Sequence, residues 1–263
     1  MPRFAANLSM LFTDLPFLDR FAAAAQAGFK GCEMQFPYLE AAEVVGDKAA
    51  MAGLKVAAFN APPGDWAKGE RGLAAVPGRE DEFKANLELV VKYAEFLDCT
   101  NVHIMAGVVP EEQWDEALDT YLKNIAYAAD ELHAEGLHVL VEAINPVDMP
   151  DYFLNRPDDA ARVIEELDRP NLHLLYDIYH AQMTQGNLTD FIEGNFEKIR
   201  HIQIAGAPGR HEPDQLGEIN FRYLFDLLDS SGYDGWIGCE YKPRINTTAG
   251  LRWAKEWLQP KES

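Results

Sequence analysis

Four polar residues sit where apolar strands end in the C-terminal half of this 263-residue chain. Glu142 closes the run HVLVE, Asp177 closes LHLLYD, Gln203 lies between two isoleucines in HIQIA, and Glu240 follows WIGC. A single carboxylate in such a place is ordinarily a strand terminus meeting solvent, because buried Asp and Glu are rare unless paired. Four polar residues at the same relative height on four consecutive strands are a different case. Three carboxylates converging on one point repel one another, and a divalent cation is the simplest compensation. Glu, Asp, Gln and Glu offer only oxygen, which suits one Mg²⁺ or Mn²⁺ ion and would be unusual for tightly held Zn²⁺. Four such ligands leave about two positions of an octahedron for substrate oxygens.

The elements that must position these residues alternate regularly. Short β-branched or apolar runs give strands at residues 4–8, 31–36, 55–60, 101–106, 138–143, 172–177, 201–205 and 236–241. Between them, apolar residues at i, i+3 and i+4 predict helices at 15–27, 39–51, 80–97, 111–135, 157–167, 188–196, 221–230 and 248–258. Asp14 reads as the N-cap of the first helix and Gly28 as its C-cap; Gly136 follows the fourth. Eight βα units imply a parallel sheet, since parallel neighbours need crossover helices. They fill the whole length, with no Gly-rich phosphate fingerprint after the first strand, so the expected fold is α/β, a single (β/α)8 TIM barrel over residues 1–263. Active residues of such barrels come from the C-terminal ends of the strands. The Pro- and Gly-rich stretch 61–78 falls on that side, and a loop of that length is usually functional or mobile. Glu240 and Lys242 share a strand parity and should point the same way.

Composition narrows the function classes. With 43 Asp and Glu against 23 Lys and Arg, the net charge of −20 disfavours nucleic-acid or anionic-membrane partners. Three scattered cysteines make no disulfide framework. No apolar run is long enough for a membrane span, and the N-terminal segment lacks a signal peptide's apolar region, so the cytoplasm is the expected location.

The segments VEAIN, YDIYH, HIQIA and CEYKP at the ends of strands five to eight, with NLSMLF and NVHIMAG earlier, resemble the hydroxypyruvate isomerase family of the xylose-isomerase-like barrel superfamily. The resemblance covers essentially the whole chain. It implies that Glu142, Asp177, Gln203 and Glu240 bind the metal and that Glu142 and Glu240 are also the proton-transfer pair. The implied reaction interconverts hydroxypyruvate and tartronate semialdehyde through an enediolate. A metal polarises the carbonyl in such chemistry while carboxylates move the carbon-bound proton.

A small hydroxy-oxo acid substrate also needs a cation for its carboxylate. Lys242 is the leading choice, with Arg71 in the long loop and Arg210 after strand seven as others. His180, one helical turn past Asp177, is placed to hydrogen-bond a substrate oxygen or relay a proton. His103 could contact substrate, or equally be a satisfied core histidine. Trp66 could cover the site as part of a lid, and Glu33 could face the pocket or pair polar groups on the barrel floor. His133, His138, His173, His201 and His211 carry no assignment. A 2-oxo-tetronate isomerase, or another sugar or sugar-acid isomerase or epimerase, would use the same groups. A zinc-cluster endonuclease of the superfamily needs a histidine after strand three and an Asp-x-His pair after strand seven, where this chain has Asn60 and APGRHEP. A non-catalytic sugar-acid-binding barrel would leave Glu142 and Glu240 unexplained. Self-association into a homo-oligomer stays open.

Overall fold

Eight parallel strands close into a barrel in simple sequential order, each hydrogen-bonded to the next and the eighth to the first. The computed structural model describes residues 1–258 of the 263. The strands are β1 (Arg3–Asn7), β2 (Gly31–Met34), β3 (Lys55–Asn60), β4 (Asn101–His103), β5 (His138–Glu142), β6 (Leu172–Asp177), β7 (Ile199–Ile204) and β8 (Trp236–Cys239). Around them run α1 (Arg20–Gln26), α2 (Ala42–Ala52), α3 (Glu80–Leu97), α4 (Trp114–Ala134), α5 (Pro157–Leu167), α6 (Ile178–Thr184), α7 (Leu188–Asn195), α8 (Phe221–Ser230), α9 (Thr247–Gly250) and α10 (Lys255–Leu258). The expected barrel is therefore present, and no described helix is long and apolar enough to cross a membrane.

Several element expectations need correction. Asp14 caps nothing: Pro16 instead precedes a 3-10 turn at Phe17–Asp19 that leads into α1. The helix expected at 111–135 opens as a 3-10 turn, Glu111–Gln113, and that expected at 248–258 divides into α9, a 3-10 turn (Leu251–Ala254) and α10. An unforeseen helix, α6, starts directly after β6, with Asp177 as its N-cap.

Side-chain parity explains where the barrel is greasy and where it is polar. Successive side chains of a strand point to opposite faces, so residues two apart share one. Ala58, Leu140 and Leu175 form a small apolar cluster separate from the main core. Leu140 lies two residues before Glu142, and Leu175 two before Asp177, so both acids continue the inward rows that these leucines begin. The much larger apolar cluster packs the outer strand faces against the helices. Loop 61–78 is held down: Gly72 bridges Ala106, the Ala75 amide donates to the Ala106 carbonyl (2.7 Å), and Arg79 pairs with Glu70 (2.7 Å).

Candidate active site

Register places the polar residues together. Asp177 pairs with Gln203 across β6 and β7, and Gln203 pairs with Gly238 across β7 and β8. Glu240 follows the last residue of β8 directly, and its carboxylate joins the cluster by accepting from Gln203 Nε2. Glu142, Asp177, Gln203 and Glu240 are all buried, as are His103 and His180. Asp177 does two things at once. Its Oδ1 accepts the backbone N–H groups of Tyr179 (2.8 Å) and His180 (3.4 Å), capping α6, while its Oδ2 is buried without a hydrogen-bond partner. Gln203 is similarly divided. Its Nε2 donates to Glu33 Oε1 (2.8 Å) and Glu240 Oε2 (2.5 Å), and its buried Oε1 has no partner.

Charge crowding shows in the protonation behaviour. Burial raises Glu142 well above the ordinary carboxylate range, and the neighbouring Glu240 and Asp177 push it further. Burial likewise raises Asp177 to about 6 and Glu240 to about 7, with Arg210 opposing both shifts. His103 falls to about 3 and His180 well below its usual value, burial being the main cause for each, so both are neutral imidazoles. His103 Nε2 lies 3.5 Å from Glu142 Oε2, and His180 Nε2 lies 3.9 Å from Glu142 Oε1 and 3.6 Å from Asp177 Oδ2. One donor atom each from Glu142, Asp177 and His180 falls within 4.8 Å of the others. With the free oxygens of Asp177 and Gln203, the site offers unpartnered, buried donors of the kind a cation takes up.

Arg210, not Lys242, brings positive charge to this cluster. Its guanidinium donates to Glu240 Oε1 (2.7 Å) and lies 3.6 Å from Asp177 Oδ2 and 3.9 Å from Asp148 Oδ2. Burial opposes its charge, but Glu240, Asp177 and Glu142 outweigh that and hold the guanidinium protonated. The backbone after β7 folds back on itself, with Gly209 and Arg210 at positive φ and the Gly206 amide bonded to the His211 carbonyl (2.8 Å). Lys242 is exposed. The parity argument fails for it because β8 ends at Cys239, and alternation does not continue once the strand has ended. Arg71 and Trp66 stay on the rim. The Arg71 guanidinium stacks 3.7 Å from the Trp66 ring centroid and donates to the Trp66 and Glu70 carbonyls, while Trp66 leans on Phe36.

Sequence reasoning left Glu33 between two readings and passed over Asn7, Gln35, Asn145 and His201. Glu33 is buried, and it accepts from Asn7 Nδ2 (2.9 Å), Gln203 Nε2 (2.8 Å) and His201 Nε2 (2.6 Å). Glu240 additionally accepts from Asn7 Nδ2 (3.1 Å) and Gln35 Nε2 (2.9 Å). Asn145, just past β5, meets His180 Nδ1 through both its backbone N–H (3.3 Å) and its side-chain Nδ2 (2.6 Å). A usable signal existed for His201, which lies two residues before Gln203 and so shares its inward face. For Gln35 and Asn145, beyond their strand ends, none did.

Comparison with known proteins agrees with this fold. A family model described as xylose isomerase-like TIM barrel matches residues 21–261. The chain is 50% identical over 260 residues to the 2-oxo-tetronate isomerase of Cupriavidus necator, covering 98% of this chain and 99% of that one. It is 43% identical over 254 residues to the hydroxypyruvate isomerase of Escherichia coli, covering 96% and 98% respectively. A crystal structure described as AP endonuclease, family 2, from Brucella melitensis superimposes with a TM-score of 0.95 at 46% identity, over 98% of this chain and 99% of that one.

Proposed function

The chain belongs to the hydroxypyruvate isomerase family of xylose isomerase-like TIM barrels, and from that we propose that it moves a carbonyl between C2 and C3 of a small 3-hydroxy-2-oxo acid, with hydroxypyruvate as the substrate. The observation that carries the reading is the pair of unpartnered buried oxygens, Asp177 Oδ2 and Gln203 Oε1, set beside the carboxylates of Glu142 and Glu240. Glu142, Asp177, Gln203 and Glu240 would hold one Mg²⁺ or Mn²⁺ ion through oxygen alone. When bound, that ion polarises the substrate carbonyl and offsets developing negative charge.

The chain's own residues account for the remaining steps. One of the pair Glu142 and Glu240 removes a proton from C3, and the C–H electrons form the C2–C3 double bond of an enediolate. A proton is then delivered to C2, and the C3 hydroxyl proton passes to the C2 oxygen, which leaves the C3 aldehyde and C2 hydroxyl of tartronate semialdehyde. Carboxyl groups raised toward neutrality suit both halves of that exchange, because a catalytic pKa near the working pH serves acid and base alike. His180 donates a hydrogen bond to a substrate oxygen, His103 steadies Glu142, and Arg210 supplies the positive charge that faces the substrate's carboxylate. Trp66 and Arg71 shield the mouth of the barrel from water.

A second reading, 2-oxo-tetronate as substrate, is favoured by the higher identity to an isomerase of that name. Its chemistry is the same, with one more hydroxymethyl group on C3. Endonuclease chemistry fits poorly with a net charge of −20 and a donor cluster holding a single histidine.

The deciding experiment offers hydroxypyruvate, 2-oxo-tetronate and common ketoses to the protein in deuterated water. Activity should be lost in EDTA and restored by Mn²⁺ or Mg²⁺, with deuterium entering at the carbon next to the carbonyl. Glu142→Gln and Glu240→Gln should each bind substrate without turnover; full activity in both variants removes the proposed mechanism.

A further inference from the structure

His180 offers its Nε2 to the same space as Glu142 and Asp177, so by distance alone it is as good a metal ligand as either. Its other ring nitrogen decides the matter. The Asn145 backbone N–H donates to His180 Nδ1 (3.3 Å), and a backbone amide can only donate. The side chain of Asn145 faces the same nitrogen at 2.6 Å. Which end of that amide faces the ring is fixed elsewhere. Asn145 Oδ1 accepts the backbone N–H groups of Val147 (3.0 Å) and Asp148 (2.9 Å), which leaves Nδ2 as the group on His180. Two donors therefore converge on Nδ1, which must carry its lone pair. In a neutral imidazole the proton then sits on Nε2.

We propose that Asn145 is a positioning residue that fixes His180 as an Nε2–H donor, making it a hydrogen-bond donor to the substrate and withholding it from the metal. This rests on the isomerase reading above. A histidine metal ligand typically shows the opposite arrangement, its second nitrogen donating to a carboxylate or carbonyl so that the lone pair faces the metal. Asn145 prevents that arrangement and keeps the ligand set to oxygen. The Nε2–H is then free to stabilise an oxygen that gains negative charge as the C3 proton leaves.

The tautomer can be read without metal or substrate, from the ¹⁵N resonances of labelled histidine in the metal-free protein. For His180 we expect a pyrrole-type Nε2 bearing the proton and a pyridine-type Nδ1. The reverse assignment overturns the proposal outright. Asn145→Asp keeps the acceptor for Val147 and Asp148 but turns a carboxylate toward Nδ1, and a charge-assisted bond there outcompetes the neutral one. The expected result is a proton moved to Nδ1, Zn²⁺ affinity raised by about tenfold or more, and kcat lowered by about 10²-fold with KM little changed. An Asn145→Asp protein that keeps its kcat with the swapped tautomer also overturns the proposal. If Asn145→Asp does not fold, the resonances of the unaltered protein still decide. A protein that isomerises none of the acids offered, yet shows the Nε2–H tautomer, refutes the isomerase reading and leaves the assignment of Asn145 in place.

Discussion

The side-chain amide of Gln203 faces opposite chemistries at its two ends. Its nitrogen lies between the carboxylates of Glu33 and Glu240, which only accept when ionised, so its oxygen must point into the site, where it is buried and unpartnered. In the proposed site, Glu33 would thus hold the Gln203 oxygen toward the ion without itself being a ligand. Replacing it with Leu removes the acceptor shared by Asn7, Gln203 and His201, and Mn²⁺ affinity measured by calorimetry should fall by roughly 10- to 100-fold. Glu33→Gln can keep its oxygen toward Asn7 and Gln203 and turn its amide to His201, whose ring can switch tautomer to accept. That variant should bind Mn²⁺ within a few-fold of the unaltered protein; equal losses in the two variants contradict a positioning role. The sequence disclosed Glu142, Asp177, Gln203 and Glu240 because each interrupts an otherwise apolar run. Glu33 was visible only as one of two readings, since GCEM does not say whether its acid faces the barrel or a helix. Arg210 was legible as a cation near the rim, but its placement depends on a backbone reversal at positive φ that no spacing rule foretells.

At the scale of elements, period and length decided what could be read. The runs at 55–60, 80–97, 157–167, 172–177 and 221–230 match β3, α3, α5, β6 and α8 residue for residue. The first two helices of that group carry an apolar stripe through three or more turns, which is where a 3.6-residue period becomes unambiguous. Helix α6 is seven residues long and begins directly after the last residue of a strand, so its IYHAQMT has no room to show a period. It still matters most to the site, because Asp177 caps it and His180 projects from its first turn. Gly238 in β8 shows a constraint that runs between elements rather than along one. A Cβ there would run into the Glu33 carboxylate reaching across from β2. Gly238→Ala must push that carboxylate off Gln203 or bend the strand. We expect a loss of about 1–3 kcal/mol in chemical denaturation, together with weakened Mn²⁺ binding. An alanine variant as stable and as metal-avid as the parent would show that the interior of β8 yields more easily than its packing implies.

Across the whole molecule, two sets of partly or fully buried groups pull stability in opposite directions over the same pH range. Asp177 and Glu240 are raised from 3.8 and 4.5 to about 6 and about 7, mainly by burial. Groups raised in the fold hold their protons while the unfolded chain releases them. Their contribution is therefore complete below the unfolded values and is lost as pH climbs through the folded ones. His138 and His173, whose rings meet at 3.1 Å near the N-terminal end of the barrel, are lowered from 6.5 to about 4, chiefly by burial and next by Arg200. The unfolded chain binds protons there first, so their contribution is complete above 6.5 and is lost as pH falls toward 4. In metal-free protein the two slopes oppose each other, and the melting temperature should change little between them. A divalent ion held by the carboxylates keeps them ionised and removes the first slope, leaving stability to rise with pH. At free Mn²⁺ a hundredfold above Kd the gain is about 2.7 kcal/mol, on the order of 5–10 °C in melting temperature for a chain of this size. That gain should be small near pH 4.5, where protons compete for the same oxygens, and full above pH 7. Self-repulsion from a net charge of −20 changes with pH in both metal states, so the difference between EDTA-treated and Mn²⁺-loaded melting temperatures at fixed ionic strength is the quantity to follow. A difference that stays constant from pH 4.5 to 8 would mean that the metal does not displace protons from these carboxylates, and the oxygen site at the strand ends would lose its physical basis.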